Sequence, residues 1–262
     1  MRPKRHFGQN FLADTRLAAK IAALATTPPG GSVVEIGAGL GALTRPLLER
    51  AQRVIAIERD RDLVPLLRAE LEPALARGAL RLEEADAKAA DFVDLLRDGP
   101  RPHVVAGNLP YQISGPLLEK LTAIAKAIDR AVVMVQREVA ERLTARPGAE
   151  NWGALSIFVQ AQYVPERGLV IRRGAFFPQP GVDSAVVVLV PRSSPVAESA
   201  GFRALVHAAF AQRRKKLRNA WRKLAAVPEL ERAAASAGVD LEARGEVLEV
   251  AQFAGMAKAL EP

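Results

Sequence analysis

The stretch that decides the fold is Ser32-Val33-Val34-Glu35-Ile36-Gly37-Ala38-Gly39-Leu40-Gly41. Its first half is mostly apolar, which predicts a buried strand, and its second half alternates glycine with other residues. Glycine permits a tight turn and lets a ligand approach the backbone at the start of the helix predicted at 43–48. The spacing departs from the dinucleotide fingerprint G-x-G-x-x-G, so the loop alone is weak evidence for a nucleotide site.

Further apolar runs of strand length alternate with helical segments along the chain. They lie at 53–57, 80–84, 104–107, 131–136, 169–171 and 185–190. This alternation indicates βαβ units and a parallel sheet, so we predict an α/β fold. Glu58 follows the second strand about 20 residues after the glycines, where an acceptor for ribose hydroxyls is expected, and Asp86 follows the third, near an expected adenine.

The quartet Asn108-Leu109-Pro110-Tyr111 follows the fourth strand and suits the handling of an exocyclic amine. The Asn108 side-chain oxygen and the Leu109 carbonyl can each accept one N–H of an adenine N6. Pro110 restricts the backbone and would hold that carbonyl in place. Tyr111 offers a flat face to a base removed from its stack. The same four residues, taken alone, also fit an ordinary Asn/Pro turn.

A second aromatic segment, Phe176 and Phe177, opens a proline-stiffened loop that runs to Ser184. Either ring is a candidate for the second wall of a base-stacking slot opposite Tyr111. The local sequence supports equally well the alternative that both are core residues at a sheet edge.

The charge distribution points to a polyanionic partner. The net charge is +8 and the pI about 10.2. Between Gly201 and Pro228 there is no acidic residue, and the basic ones are Arg203, Arg213, Arg214, Lys215, Lys216, Arg218, Arg222 and Lys223. Such a cluster favours phosphate binding, for which we single out 213–216 and the basic N-terminal segment 1–12, although a charge run can also be only a solvated face.

The residue types that the sequence lacks or contains only rarely exclude several kinds of site and reaction. The absence of cysteine excludes a disulfide framework, a Cys-rich zinc site, an iron–sulfur cluster and pyrimidine methylation through a cysteine adduct. The three histidines are widely spaced, so we expect no metal site. Apolar runs are too short to span a membrane, and the basic N-terminus has no apolar signal core, so we expect a cytoplasmic protein. We also expect a monomer.

A Pro/Ser-rich stretch at 191–199 reads as a linker. We therefore expect a catalytic domain at 1–192 and a helical RNA- or ribosome-binding domain at 193–262. The expected apolar stripe of the second domain includes Phe202, Leu205 and Val206.

Together these motifs resemble the ribosomal RNA adenine dimethylase family over nearly the whole chain, and within it the small-subunit branch. The resemblance is carried by Phe7-Gly8-Gln9-Asn10-Phe11-Leu12, 35–44, Glu58, Asp86, Asn108-Leu109-Pro110-Tyr111, 135–139, 176–184 and 209–215. One departure is Ala38, where the family usually has proline between the first two glycines.

The resemblance implies a class I (Rossmann-like) methyltransferase sheet of seven strands that binds S-adenosyl-L-methionine, with a small helical C-terminal domain. It implies methylation at N6 of two adjacent adenosines near the 3′ end of small-subunit rRNA. The cofactor-binding positions would be Asn10, Leu12, Gly37, Gly39, Glu58, Asp86 and Asn108.

Three alternatives stay open at this point. One is a large-subunit rRNA adenine N6-methyltransferase of the antibiotic-resistance type, and another is a DNA adenine methyltransferase. The third is a non-catalytic RNA-binding assembly factor. The basic stretch at 212–215 favours the small-subunit branch, and the acidic residues Glu58 and Asp86 favour an enzyme.

Overall fold

A computed structural model describes residues 9–212 and 214–261. Most of the basic N-terminal segment and Arg213 therefore lie outside the described residues. The chain divides into two compact units. The first comprises the described residues up to Ala140 together with Pro165–Pro191, and the second comprises Glu141–Val164 and the chain from Arg192 onward.

A seven-stranded sheet forms the centre of the first unit, in the order β4-β3-β2-β5-β6-β9-β7. Strands β2 to β6 pair in parallel, and β9 is antiparallel to β6. Every residue of β2 is buried, as expected for a strand whose two sheet faces are covered by helices. The strand bounds are β2 Ser32–Ile36, β3 Arg53–Glu58, β4 Leu80–Glu84, β5 His103–Asn108, β6 Arg130–Gln136, β7 Tyr163–Ile171 and β9 Ser184–Pro191. The predicted α/β fold is confirmed.

The strand order reverses beside β2, because β3 follows it in the chain on one side while β5 lies on the other. In open α/β sheets ligands bind at such a switch point, outside the carboxyl ends of the strands. Helices connect the strands: α1 Thr15–Ala25, α2 Thr44–Leu48, α3 Val64–Glu70, α4 Glu72–Ala76, α5 Phe92–Leu96, α6 Ser114–Ala123 and α7 Arg137–Leu143.

A second, two-stranded sheet joins β1 Phe11–Leu12 to β8 Phe176–Phe177. The pairing is antiparallel, with Phe11 opposite Phe177 and Leu12 opposite Phe176. The N–H of Ala13 extends it by donating to the carbonyl of Ala175 at 2.8 Å. The sequence did not predict this sheet.

The second unit is helical and has its own core. Its helices are α8 Ala154–Gln162, α9 Ala200–Ala211, α10 Leu217–Trp221, α11 Val227–Ala237 and α12 Val250–Leu260. Trp152 and Trp221 are fully buried, and each indole N–H donates to a carbonyl, at 3.0 Å to Leu248 and 2.9 Å to Leu205. Those bonds remove the cost of burying a polar N–H.

This division differs from the expected boundary between residues 192 and 193, because residues 141–164 cluster with the second unit. The physical reason is packing: Trp152 and Ile157 belong to the same buried cluster as Phe202. The role of the second unit in binding RNA stays a prediction. No helix within the described ranges is both long and apolar enough to cross a membrane.

Candidate active site

A pocket lies at the carboxyl edge of the main sheet, where β2, β3 and β5 end. The structure brings ten of the twelve predicted site residues into its lining: Asn10, Leu12, Gly37, Gly39, Glu58, Asp86, Asn108, Leu109, Pro110 and Tyr111. Phe176 and Phe177 are the two that do not line it. The convergence follows from topology, because the carboxyl ends of parallel strands meet at one edge.

The glycine loop after β2 takes a backbone conformation that favours glycine. Gly37, Gly39 and Gly41 have φ values of 75°, 58° and 75°. A Cβ on Gly39 would lie 3.1 Å from the Phe11 ring, so the N-terminal strand packs directly on the loop. The loop thus presents backbone rather than side chains to the pocket.

Glu58 is buried, and its carboxylate accepts backbone N–H groups. Oε2 accepts from Gly39 at 2.7 Å, and Oε1 accepts from Asp60 at 2.8 Å. Burial raises the pKa of Glu58, whereas the bonds from Asp60, Gly39 and Arg59 oppose that rise. A carboxylate offers about four lone-pair sites, so after these three bonds Glu58 can still accept from a ribose hydroxyl.

Asp86 follows β4 and lies at the start of a turn. Its Oδ1 accepts from the N–H of Lys88 at 2.9 Å, and its Oδ2 lies 3.2 Å from the Arg59 guanidinium. Its side chain remains partly accessible. The carboxylate is therefore held in place and still reachable by a ligand in the pocket.

Asn108 ends β5, and its side chain contacts Asn10, the residue just before β1. Its Nδ2 donates to the carbonyl of Asn10 at 2.9 Å. That bond leaves Oδ1 as a buried acceptor with no hydrogen-bond partner among the described residues. Next to it, Leu109 is fully buried and donates its N–H to Met134 at 3.0 Å, which fixes the backbone of the quartet to β6. A buried unpaired acceptor at the pocket wall is costly unless a ligand supplies the donor.

Tyr111 lines the pocket, and its hydroxyl shares a 2.7 Å hydrogen bond with the Ser184 hydroxyl. Burial raises the pKa of Tyr111, the bond to Ser184 opposes the rise, and the Asp183 carboxylate adds to it. The hydroxyl therefore stays neutral at physiological pH and anchors the ring to the start of β9.

This geometry predicts different results for two substitutions of Tyr111. Tyr111→Phe should lower the free energy of unfolding by about 1 kcal/mol and leave turnover within a small factor, because only one hydrogen bond is lost. Tyr111→Ala tests the predicted stacking of this ring on a base: removing the ring should lower turnover about tenfold or more. Turnover assays and urea unfolding measure the two effects.

Ser184→Ala is the matched control, since it removes the same hydrogen bond and keeps the ring. It should behave like Tyr111→Phe. Equal losses of turnover in Tyr111→Phe and Tyr111→Ala would instead make the hydroxyl the active group.

The expectation for Phe176 requires a correction. Its ring is only 4% exposed and belongs to the main hydrophobic core, whereas Phe177 is 64% exposed. The reason is strand alternation: neighbouring residues of β8 point to opposite faces, and Phe176 faces inward. Phe176 is thus a core residue at a sheet edge, and Phe177 alone remains a candidate for stacking.

Glu35 is a pocket residue whose role the sequence did not reveal. It is 1% exposed, and its Oε2 has no hydrogen-bond partner among the described residues. Burial raises the pKa of Glu35 from 4.5 to about 7; the Thr44 hydroxyl opposes the rise and the Glu58 carboxylate adds to it. The available signal was a carboxylate inside the otherwise apolar strand Ser32–Ile36.

The sequence also gave no indication of the roles of Gln9 and Asp60 beside the pocket. The Gln9 side-chain amide donates to Asp60 Oδ2 at 2.7 Å, and Asp60 is buried although it is acidic. This bond ties the backbone just before β1 to the segment after Glu58. Gln9 therefore helps to hold one wall of the pocket in place.

These residues fit S-adenosyl-L-methionine. Asn108 Oδ1 and Glu35 Oε2 are buried polar atoms with no partner among the described residues, the glycine loop exposes backbone, and two further acidic side chains follow successive strands. In the described part of the chain, no group of three or more His, Cys, Asp or Glu is placed to hold a metal ion. The sheet order and this pocket define a class I S-adenosylmethionine-dependent methyltransferase.

Comparison with known proteins specifies the family. A family model described as "Ribosomal RNA adenine dimethylase" matches residues 1–261. The chain belongs to the ribosomal RNA adenine dimethylase family, as the resemblance implied.

Relatives support this membership over the full length. The protein named "Ribosomal RNA small subunit methyltransferase A" of Anaeromyxobacter sp. (strain K) is 44% identical over 273 residues, covering 99% of this chain and 94% of that protein. The protein of the same name from Magnetococcus marinus is 43% identical over 263 residues, covering 99% and 92%.

Two solved structures are similar over nearly the whole chain. A dimethyladenosine transferase from Plasmodium falciparum has a TM-score of 0.76 at 27% identity, covering 94% of this chain and 96% of that one. The 23S rRNA methyltransferase ErmE has a TM-score of 0.73 at 28% identity, covering 96% and 99%.

Proposed function

We propose that this protein transfers methyl groups from S-adenosyl-L-methionine to N6 of two adjacent adenosines near the 3′ end of small-subunit rRNA. The products are N6,N6-dimethyladenosines, and the reaction takes place in the cytoplasm during small-subunit biogenesis. The observation that carries the proposal is the buried, unpaired Oδ1 of Asn108 beside Tyr111 at the pocket wall. Family membership and the names of its full-length relatives support the choice of substrate.

The chain's own residues orient the target amine. Asn108 Oδ1 and the Leu109 carbonyl each accept one N–H of N6, which directs the nitrogen lone pair toward the donor. Tyr111 stacks on the extruded adenine, and Phe177 is the candidate for the opposite face. The cofactor, when bound, supplies an electrophilic methyl group on its sulfonium.

Asn108 and Leu109 also favour the charge that develops during transfer. As the N6–methyl bond forms, positive charge grows on N6, and the two carbonyl-type oxygens stabilise it without needing to reorient. No strong general base is required, because the alkylated nitrogen becomes acidic and releases its proton afterwards. The buried position of Asn108 Oδ1 strengthens this interaction, since little water competes for it.

Methyl transfer from labelled S-adenosyl-L-methionine tests the proposal. The substrates are small subunits that lack the modification and, for comparison, naked large-subunit rRNA. Label on small subunits that digests to N6,N6-dimethyladenosine is the expected result. Label only on large-subunit rRNA would identify the antibiotic-resistance type, and binding to small subunits without transfer would identify an assembly factor.

The surface that binds RNA can be specified more closely than the sequence allowed. Three of the eight clustered basic residues are paired with acidic residues from outside the stretch: Arg203 with Glu198, Lys216 with Glu242, and Arg218 with Glu231 and Glu242. The sequence predicted a phosphate contact for Lys216 as well; that contact stays a prediction, and the Lys216 ammonium is already paired with Glu242. Arg214 and Lys215 are exposed and make no ion pair with other described residues. We propose that these two contact rRNA phosphates and that the protein acts as a monomer.

The proposed phosphate contacts predict a change in salt dependence. Changing both Arg214 and Lys215 to glutamine should weaken binding to small-subunit rRNA and reduce the slope of log K against log salt by about 2. Cofactor affinity should not change. Filter binding over a range of salt concentrations measures the slope.

Lys216→Gln is the matched control, because its charge is already paired with Glu242 at 2.8 Å. It should change the slope less than either neighbouring substitution does. If the double variant keeps the wild-type slope, Arg214 and Lys215 are solvent-exposed charges that do not contact RNA phosphates.

A further inference from the structure

A single lysine ammonium holds the turn that follows Asp86. Lys120 lies on α6 and donates to the carbonyl of Ala87 at 3.1 Å, to that of Lys88 at 3.0 Å, and to that of Ala90. An ammonium has three N–H donors, so these three carbonyls use all of them. The same ammonium lies 4.4 Å from the centre of the Phe92 ring, a cation–π contact that fixes it from another side.

The turn is organised by Asp86 on one side and by Lys120 on the other. The carbonyl of Asp86 accepts from Ala89 at 2.9 Å and from Ala90 at 3.0 Å, and its Oδ1 accepts from Lys88. The backbone N–H groups of the turn thus point toward Asp86, while the carbonyls point toward Lys120. Three carbonyl dipoles that converge on one point repel one another, and a cation removes that repulsion.

Lys120 also connects this turn to the catalytic quartet. Helix α6 begins at Ser114, directly after the short turn Tyr111–Ile113. Burial lowers the pKa of Lys120, and the carboxylates of Asp91 and Asp86 oppose that shift. The ammonium is therefore partly removed from water and electrostatically coupled to the proposed adenine-binding carboxylate.

We propose that Lys120 is a positioning residue for the adenine half of the cofactor site. By gathering the three carbonyls, it sets the conformation of the turn, and with it the direction of the Asp86 carboxylate. It thereby contributes to selectivity for a cofactor that carries a 6-amino group, although it touches neither cofactor nor RNA. The inference rests on the proposed role of Asp86 as the acceptor for the adenine amine.

The test compares two ligands by calorimetry: S-adenosylhomocysteine and S-inosylhomocysteine, in which an oxo group replaces the adenine amine. Wild type should bind the first about tenfold more tightly or better, because the second leaves Asp86 without its donor. Lys120→Met keeps an apolar stem and removes the ammonium. In this variant the ratio of the two dissociation constants should fall most of the way to one. Its kcat at saturating cofactor should stay within about threefold of wild type.

Two further variants keep the test decisive. Lys126→Met removes an exposed lysine in the same unit and should leave the ratio unchanged. Lys120→Gln keeps two N–H donors and is the milder change if Lys120→Met does not fold. The logarithm of the ratio of the two dissociation constants should fall by about half in this variant.

The outcomes separate two failures. If wild type does not discriminate between the ligands, the proposed role of Asp86 is wrong. If wild type discriminates and both Lys120 variants keep the full ratio, Lys120 is only a structural clamp, whatever happens to the melting temperature, and the inference is overturned. An equal loss of affinity for both ligands leaves the ratio of their dissociation constants unchanged, so it overturns the inference in the same way.

Discussion

Asn108→Ala is expected to lower kcat at saturating S-adenosyl-L-methionine about 100-fold or more. The substitution removes a buried acceptor that has no other partner among the described residues and is placed at the pocket wall. Removing one preorganised hydrogen-bonding group from a catalytic site typically costs two to three orders of magnitude, roughly 2.7–4 kcal/mol. Single-turnover methyl transfer to unmodified small subunits measures the effect separately from product release.

The same substitution also removes the bond to the Asn10 carbonyl, so cofactor affinity has to be measured in parallel. We expect a smaller loss there than in kcat. Gln52→Ala is the matched control, because it truncates an exposed amide just before β3, at the amino end of the sheet. If Asn108→Ala retained full turnover once saturated with cofactor, the orienting role of its oxygen would be wrong.

Glu35→Gln is expected to stabilise the cofactor-free protein above neutral pH by about 3 kcal/mol. Folding raises the pKa of Glu35 from 4.5 to about 7, so the folded state holds this proton more tightly than the unfolded state. The free energy of unfolding must therefore fall as pH rises from about 5 to about 7. A shift of this size corresponds to roughly 3 kcal/mol.

Glutamine has the same shape and no charge to desolvate. The difference between variant and wild type should thus be near zero at low pH and grow to its full value at about pH 8. Urea unfolding at several pH values gives this difference directly. Glu49→Gln changes an exposed carboxyl of the same unit and should show no such trend. Parallel pH profiles for wild type and Glu35→Gln would show that Glu35 carries no burial cost.

Much of the site was predictable because it depends on the parallel sheet. Apolar runs of strand length and the glycine loop define the sheet, and its topology then places Glu58, Asp86 and Asn108 at one edge. Neither step requires knowledge of side-chain packing.

What could not be predicted depends on contacts between distant parts of the chain. The strands β1 and β8 have two residues each, too few to show any periodicity, so nothing indicated whether Phe176 or Phe177 faces the core. The acidic partners of Lys216 and Arg218 come from another part of the sequence. Lys120 gives no signal at all, because three backbone carbonyls define its site.

The pairing of β1 with β8 connects the lining of the pocket to Phe177, the proposed stacking residue. Asn10 and Leu12 line the pocket, while Leu12 also pairs with Phe176, and the exposed Phe177 sits next in the same short strand. A displacement of β1 therefore also moves Phe177, the aromatic ring proposed to stack on the RNA base. Dimethylation of two adenosines consumes four molecules of cofactor, each of which binds beside the strand that pairs with Phe177.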